Sequence, residues 1–137
     1  FITPDGKTLY FTSSRPGGLG GNDIYVSHRT EQGWSEPKNL GAPINSPRND
    51  LQPAFAFNDL KQMYFTSDCD PKIGTAIYRS TQQKNGTWSA PELVIKGLVG
   101  EPTLTGDGSL LYFVHILSDA KGIFDADIWY VKRKKIK

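Results

Sequence analysis

The residues whose types and spacing suggest chemistry are two pairs of acids, a glycine run, two histidines and a lone cysteine. Asp68-Cys69-Asp70 and Asp125-Ala126-Asp127 set carboxylates two apart, the spacing that opens a calcium loop. Neither continues to the glycine and distal glutamate that complete such a ligand set, so both read as solvated loop acids. Gly17-Gly18-Leu19-Gly20-Gly21 has the composition of a phosphate cradle but lacks the Gly-Lys-Ser/Thr ending and opens no helix, so it reads as a flexible loop. A zinc site built on His28, His115 and Cys69 would need ligands from distant loops, and no metal or cofactor is expected. No Gly-x-Ser-x-Gly elbow marks a serine hydrolase. The remaining enzymatic option is a glycosidase, which needs two carboxylates facing one cavity, about 5 to 9 Å apart. Asp50 and Glu101 are the pair it would recruit, although nothing in the sequence shows them converging.

The elements that would position these groups follow from a repeat. Leu9-Tyr10-Phe11-Thr12-Ser13 answers to Met63-Tyr64-Phe65-Thr66-Ser67 and to Leu111-Tyr112-Phe113-Val114-His115. Asp23-Ile24-Tyr25-Val26 answers to Ala76-Ile77-Tyr78-Arg79 and to Asp127-Ile128-Trp129-Tyr130, and Trp34 answers to Trp88. A period of about 50 residues built of strands is that of propeller blades. Aromatic and β-branched residues favour the pleated, half-buried surface of a strand, and Pro4-Asp5-Gly6-Lys7 supplies the φ values of a turn. Asn85-Gly86 is likewise a turn signal, which suffices over the glycosylation pattern that Asn85-Gly86-Thr87 also fits. A full unit reads as a four-stranded meander whose fourth strand, in the first two units, holds the Trp and is broken by Pro, as an edge strand can be; the last unit lacks this strand. No stretch carries a helical period.

The reading is therefore all-β: one β-propeller segment over residues 1–137, with units over residues 1–50, 51–99 and 100–137. About three antiparallel four-stranded blades cannot close, because closed rings typically use about four to eight. The chain also begins at Phe1, inside a repeat. It reads as a fragment of a longer propeller or as half of a six-bladed ring made by two copies, a homodimer. Incomplete first and last units invite pairing with another chain.

Composition narrows the partners. The formal charge is +2, but Lys132, Arg133, Lys134, Lys135 and Lys137 supply five of the 16 basic residues, so acids exceed bases in the rest. That body lacks the basic face of a nucleic-acid binder, and the terminal run reads as a solvated end. No apolar run is long enough to span a bilayer and no signal peptide is visible, so no transmembrane segment is expected.

In a meander, alternate loops share an end of the sheet. The loops Ser14 to Asn22, Asp68 to Gly74 and Ile116 to Asp125 should share a face with the crossovers Ile44 to Asp50 and Leu98 to Glu101. Varied polar loops on a rigid scaffold are where binding concentrates. The candidate binding residues are Arg15, Asn22, Asn45, Arg48, Asp50, Asp68, Asp70, Lys72, Glu101, His115 and Asp125. Gln52 joins them, because Gln52 and Glu101 each precede the Pro opening an innermost strand and so flank the channel mouth, a default ligand site. The plainer expectation for both is a hydrogen bond to a neighbouring blade's backbone. Asp23 and Asp127, at one repeat position, read as strand starters that bond backbone.

Thr3-Pro4-Asp5-Gly6-Lys7-Thr8-Leu9-Tyr10-Phe11-Thr12-Ser13-Ser14-Arg15, continuing through the glycine loop to Asp23-Ile24-Tyr25-Val26-Ser27 and followed by Gly33-Trp34-Ser35-Glu36-Pro37, resembles the PD40 or TolB-like (WD40-like) β-propeller repeat of Bacteroidetes-type envelope proteins. The second unit departs from that pattern at Asn58-Asp59-Leu60 and at Ala76. The resemblance implies a non-catalytic binding or scaffold module at the periplasm or outer membrane, engaging a partner protein or an envelope glycan through its loop-rich face. Asn85-Gly86-Thr87-Trp88-Ser89 also resembles the repeat of sialidase-like propellers, which keeps open the alternative of a carbohydrate-active enzyme with carboxylates at the channel mouth.

Overall fold

A computed structural model describes residues 1–119 and 121–133. The fold is all-β, with three antiparallel sheets, no helix among the described residues and no closed sheet. The first sheet holds β1 (Thr8–Ser13), β2 (Asp23–Thr30), β3 (Gly33–Trp34) and β4 (Lys38–Asn39), the last two both pairing with β2. The expected fourth strand is thus split, and Pro37 lies in the break because proline cannot donate to the ladder. The second sheet runs β5 (Asp50–Ala56), β6 (Asp59–Ser67), β7 (Ala76–Thr81) and β8 (Glu92–Lys96) in chain order. The third runs β9 (Val99–Leu104), β10 (Leu110–Asp119) and β11 (Gly122–Lys132). Phe1 exchanges backbone hydrogen bonds with Tyr10 at 2.9 Å in each direction, so the first residues pair with β1 as a rudimentary inner strand.

Recurring side-chain devices explain why the repeat conserves its turns within the chain. Asp5 Oδ1 accepts from Thr3 Oγ1 at 2.6 Å and from the Lys7 amide at 3.0 Å, closing the first turn. Asp107 Oδ1 takes Thr105 Oγ1 at 2.6 Å and the Ser109 amide at 3.0 Å in the third. The threonine hydroxyl is the main reason that both carboxyls lie below the ordinary range, Asp107 at about 2. The serine after each Trp ties the outer strand to its neighbour: Ser27 Oγ donates to Ser35 O at 2.6 Å and Ser80 Oγ to Ser89 O at 2.7 Å.

The sheets pack face to face around two cores. Ile24 and Ile44 from the first unit meet Phe55, Met63, Phe65 and Tyr78 from the second, with Tyr10 and Trp88 against them. Tyr64 and Ile77 meet Val99, Leu111 and Phe113 of the third sheet. Strand alternation explains the pattern, because neighbours along β6 and β7 point to opposite faces, and each face here meets a different sheet. The equivalent tryptophans part company: Trp88 packs 6.2 Å from Phe55, whereas Trp34 is exposed under the Arg29 guanidinium at 5.4 Å.

Four expectations are corrected. Ile116 to Asp125 is not an open loop, because β10 runs on to Asp119 and β11 resumes at Gly122, giving a long hairpin. The backbone pairing runs on as far as Asp119 opposite Gly122. For the same reason Asp127 lies inside β11 opposite His115 rather than starting a strand. The basic run is not wholly a solvated end: Arg133 folds back over the Tyr64 ring at 5.3 Å and donates to Gly108 O at 2.9 Å and Gln62 Oε1 at 3.1 Å. Lys134, Lys135 and Lys137 lie outside the described residues. The glycine run is not a flexible loop either, for reasons given by the site.

Candidate functional site

The loops at one end of the sheets form a cross-linked ridge. Asp23, buried at the start of β2, accepts the Leu19 amide at 2.5 Å, the Gly20 amide at 3.1 Å and Asn39 Nδ2 at 2.7 Å, pinning the glycine run. The Gly21 amide donates to Arg48 O at 2.9 Å, so that run lies against the crossover after the first sheet. A Cβ on Gly20 would stand 1.8 Å from Arg48 O and 2.6 Å from Ser46 O. The glycines allow two backbones to touch, which is a packing role.

Most of the candidate acids and amides hold this ridge. Asn45 is buried and brackets Ile24, accepting its amide at 2.8 Å and donating to its carbonyl at 2.9 Å. Asp50 is fully buried; it accepts Ser67 Oγ at 2.6 Å and the Ser46 amide at 2.6 Å. Burial pushes its carboxyl above the usual range, against the pull of those donors. Asp68 accepts the Asn49 amide at 2.7 Å, and Asn49 Oδ1 takes Asn22 Nδ2 at 3.0 Å. Asp70 caps its own turn, accepting the Lys72 amide at 2.8 Å. Asn49, which joins three loops, was not singled out by the sequence, where nothing distinguishes it from a solvated loop residue.

Gln52 and Glu101 share an uncommon backbone state, with φ of 56° and 55°, a region that side chains with a Cβ seldom occupy. The Gln52 amide donates to Thr12 Oγ1 at 3.0 Å in the first sheet. Gln52 Oε1 accepts the Glu101 amide at 2.9 Å and Thr66 Oγ1 at 2.7 Å. The expected bond to a neighbouring sheet's backbone is therefore present for Gln52. Thr12 and Thr66 were the missed partners, and their identical repeat position was the available signal. Next to this bond lies a cleft of about 210 Å³ lined by Leu51, Leu98, Val99, Val114 and Ile116 around the start of β9, with Glu101 exposed beside it.

The other candidates disperse. Arg15 lies over the Phe11 and Tyr25 rings at 5.2 and 4.8 Å. His115 meets Trp129 edge-on at 5.3 Å within the third sheet, and Asp125 is exposed on β11. Arg48 and Lys72 are exposed on the ridge. The two carboxylates a glycosidase would recruit differ sharply: both oxygens of Asp50 are occupied inside the protein, while Glu101 faces solvent. Among the described residues, no group of three or more His, Cys, Asp or Glu is placed to hold a metal ion, and no helix is long and apolar enough to cross a membrane. What the site offers is an apolar cleft beside one free carboxylate, with exposed cations on the adjoining ridge. No family model matches the chain, and no curated protein matches it.

Proposed function

We propose that this chain is an arc of a β-propeller that acts as a non-catalytic binding or scaffold module of the bacterial envelope, in the periplasm or at the outer membrane. The partner, a protein or an envelope glycan, engages the loop-rich face. The observation that carries the reading is the cross-linked ridge: Asp23, Asn45, Asp50 and Asp68 are spent on rigid loops, leaving Arg48, Lys72, Leu98 and Glu101 to meet a ligand. Rigid loops bind with less ordering cost than mobile ones. Three meanders packed face to face on a common repeat support the propeller arc, and the resemblance to the PD40 or TolB-like repeat supports the envelope setting.

The test is calorimetric binding of soluble peptidoglycan fragments and of purified envelope proteins to the wild type and to an Arg48→Ala, Glu101→Ala, Leu98→Asp variant. All three residues are exposed, so the melting temperature should hold while affinity falls at least about tenfold, which is ~1.4 kcal/mol. Unchanged affinity in the variant, or no binding of any probe by the wild type, would sink the reading.

A further inference from the structure

Two interfaces between sheets obey one rule, and the third sheet breaks it on its outer side. The Tyr and Ile at equivalent positions face the following sheet: Tyr10 and Ile24 enter the first core, Tyr64 and Ile77 the second. Ile24 and Ile77 are both 0% exposed, but their equivalent Ile128 is 77% exposed. Tyr64 is 2% exposed and its equivalent Tyr112 is 36%. The β10–β11 register pairs Tyr112 with Tyr130 and Val114 with Ile128, which puts these four side chains on one face. An apolar sheet face of this kind marks an interaction surface.

The rule also says what covers such a face. In the second sheet, Phe65 and Tyr78 pack in the core that buries Ile24, their rings stacked at 6.2 Å and 30°. The first sheet carries the same pair, Phe11 and Tyr25, stacked at 6.0 Å and 26° on the face turned away from the second sheet. This chain therefore holds both halves of a further interface of the kind it uses twice internally. In the single copy the Arg15 guanidinium lies over both rings and Tyr25 is 4% exposed, so an incoming sheet must displace Arg15.

We infer that the outer face of the third sheet docks the first sheet of a second copy of this chain. The contact is head-to-tail, and applied reciprocally it makes a closed pair of six sheets, inside the range of about four to eight that rings accommodate. The inference rests on the repeat's packing and not on the ligand proposed above, so it stands or fails separately from binding.

The experiment is light scattering after size exclusion on the whole chain. The expected wild-type mass is twice 15.2 kDa. Ile128→Asp, at an exposed position, should return the single-copy mass while keeping the far-UV strand signal of the wild type, with a melting temperature lowered only by the loss of the partner, and Phe11→Ser should do the same if it folds. A wild-type chain at single-copy mass overturns the inference, as does an open series of larger assemblies. With Cys69 replaced by serine, an Ile128→Cys chain that oxidises to a self-linked pair would show third sheet against third sheet, which also overturns it.

Discussion

Gly20→Ala is expected to destabilise the fold by more than about 3 kcal/mol, beyond the usual 1–3 for overpacking. The added Cβ would stand 1.8 Å from Arg48 O, and that carbonyl already accepts the Gly21 amide. Backbone cannot rotate away as a side chain tip can. The two strands of chain must separate, which also strips Leu19 and Gly20 from the buried Asp23 carboxylate. A stable domain has only ~5–15 kcal/mol in hand, so the variant should show a large drop in the urea midpoint or fail to fold. Gly106→Ala is the control: its Cβ would find Phe57 at 3.5 Å, an ordinary contact with an exposed ring, and the midpoint should hold. A Gly20→Ala protein as stable as the wild type would return this run to the status of a mobile loop.

Asp50→Ala is expected to cost about 2–4 kcal/mol at neutral pH, because the Ser46 amide and Ser67 hydroxyl would lose their acceptor inside the protein. Asp50→Asn should cost less, since its amide can accept from one and donate to the other. The pH dependence separates charge from shape. Burial raises the folded carboxyl above its unfolded value of about 3.9. The folded state then holds the proton more tightly than the unfolded chain. The stability this contributes is complete below the unfolded value and is lost as pH rises through the folded one. Relative to Asp50→Asn, the wild type should therefore lose stability as pH climbs from about 4 toward neutrality. Urea melts of both proteins across that range check it. A wild-type advantage that grows with pH would mean that the donors, not burial, govern this carboxyl.

The strands were readable because each is a local alternation bounded by turn residues. Tyr10, Tyr64 and Tyr112, with Ile24, Ile77 and Ile128, recur about 50 residues apart, and in the fold they occupy equivalent places in three successive sheets. The turn aspartates were equally legible, since Asp5 and Asp107 bond amides only two residues ahead. The candidate site was legible only as a set of loops. Which polar residues would be free depended on partners far along the chain, such as Thr12 for the Gln52 amide and Ser67 for Asp50.

By itself, then, the sequence determined what depends on neighbours: all-β architecture and antiparallel strands that pair with those next to them in the chain. Tertiary structure alone decided that the glycine run is a packing surface, that Asp50 is buried while Glu101 is free, that Arg133 folds back on Tyr64, and that Ile128 is bare where Ile24 and Ile77 are covered. The physical reason is that pairing follows a period of two that any strand displays locally, whereas burial and hydrogen-bond satisfaction are properties of whichever distant segment comes to lie opposite.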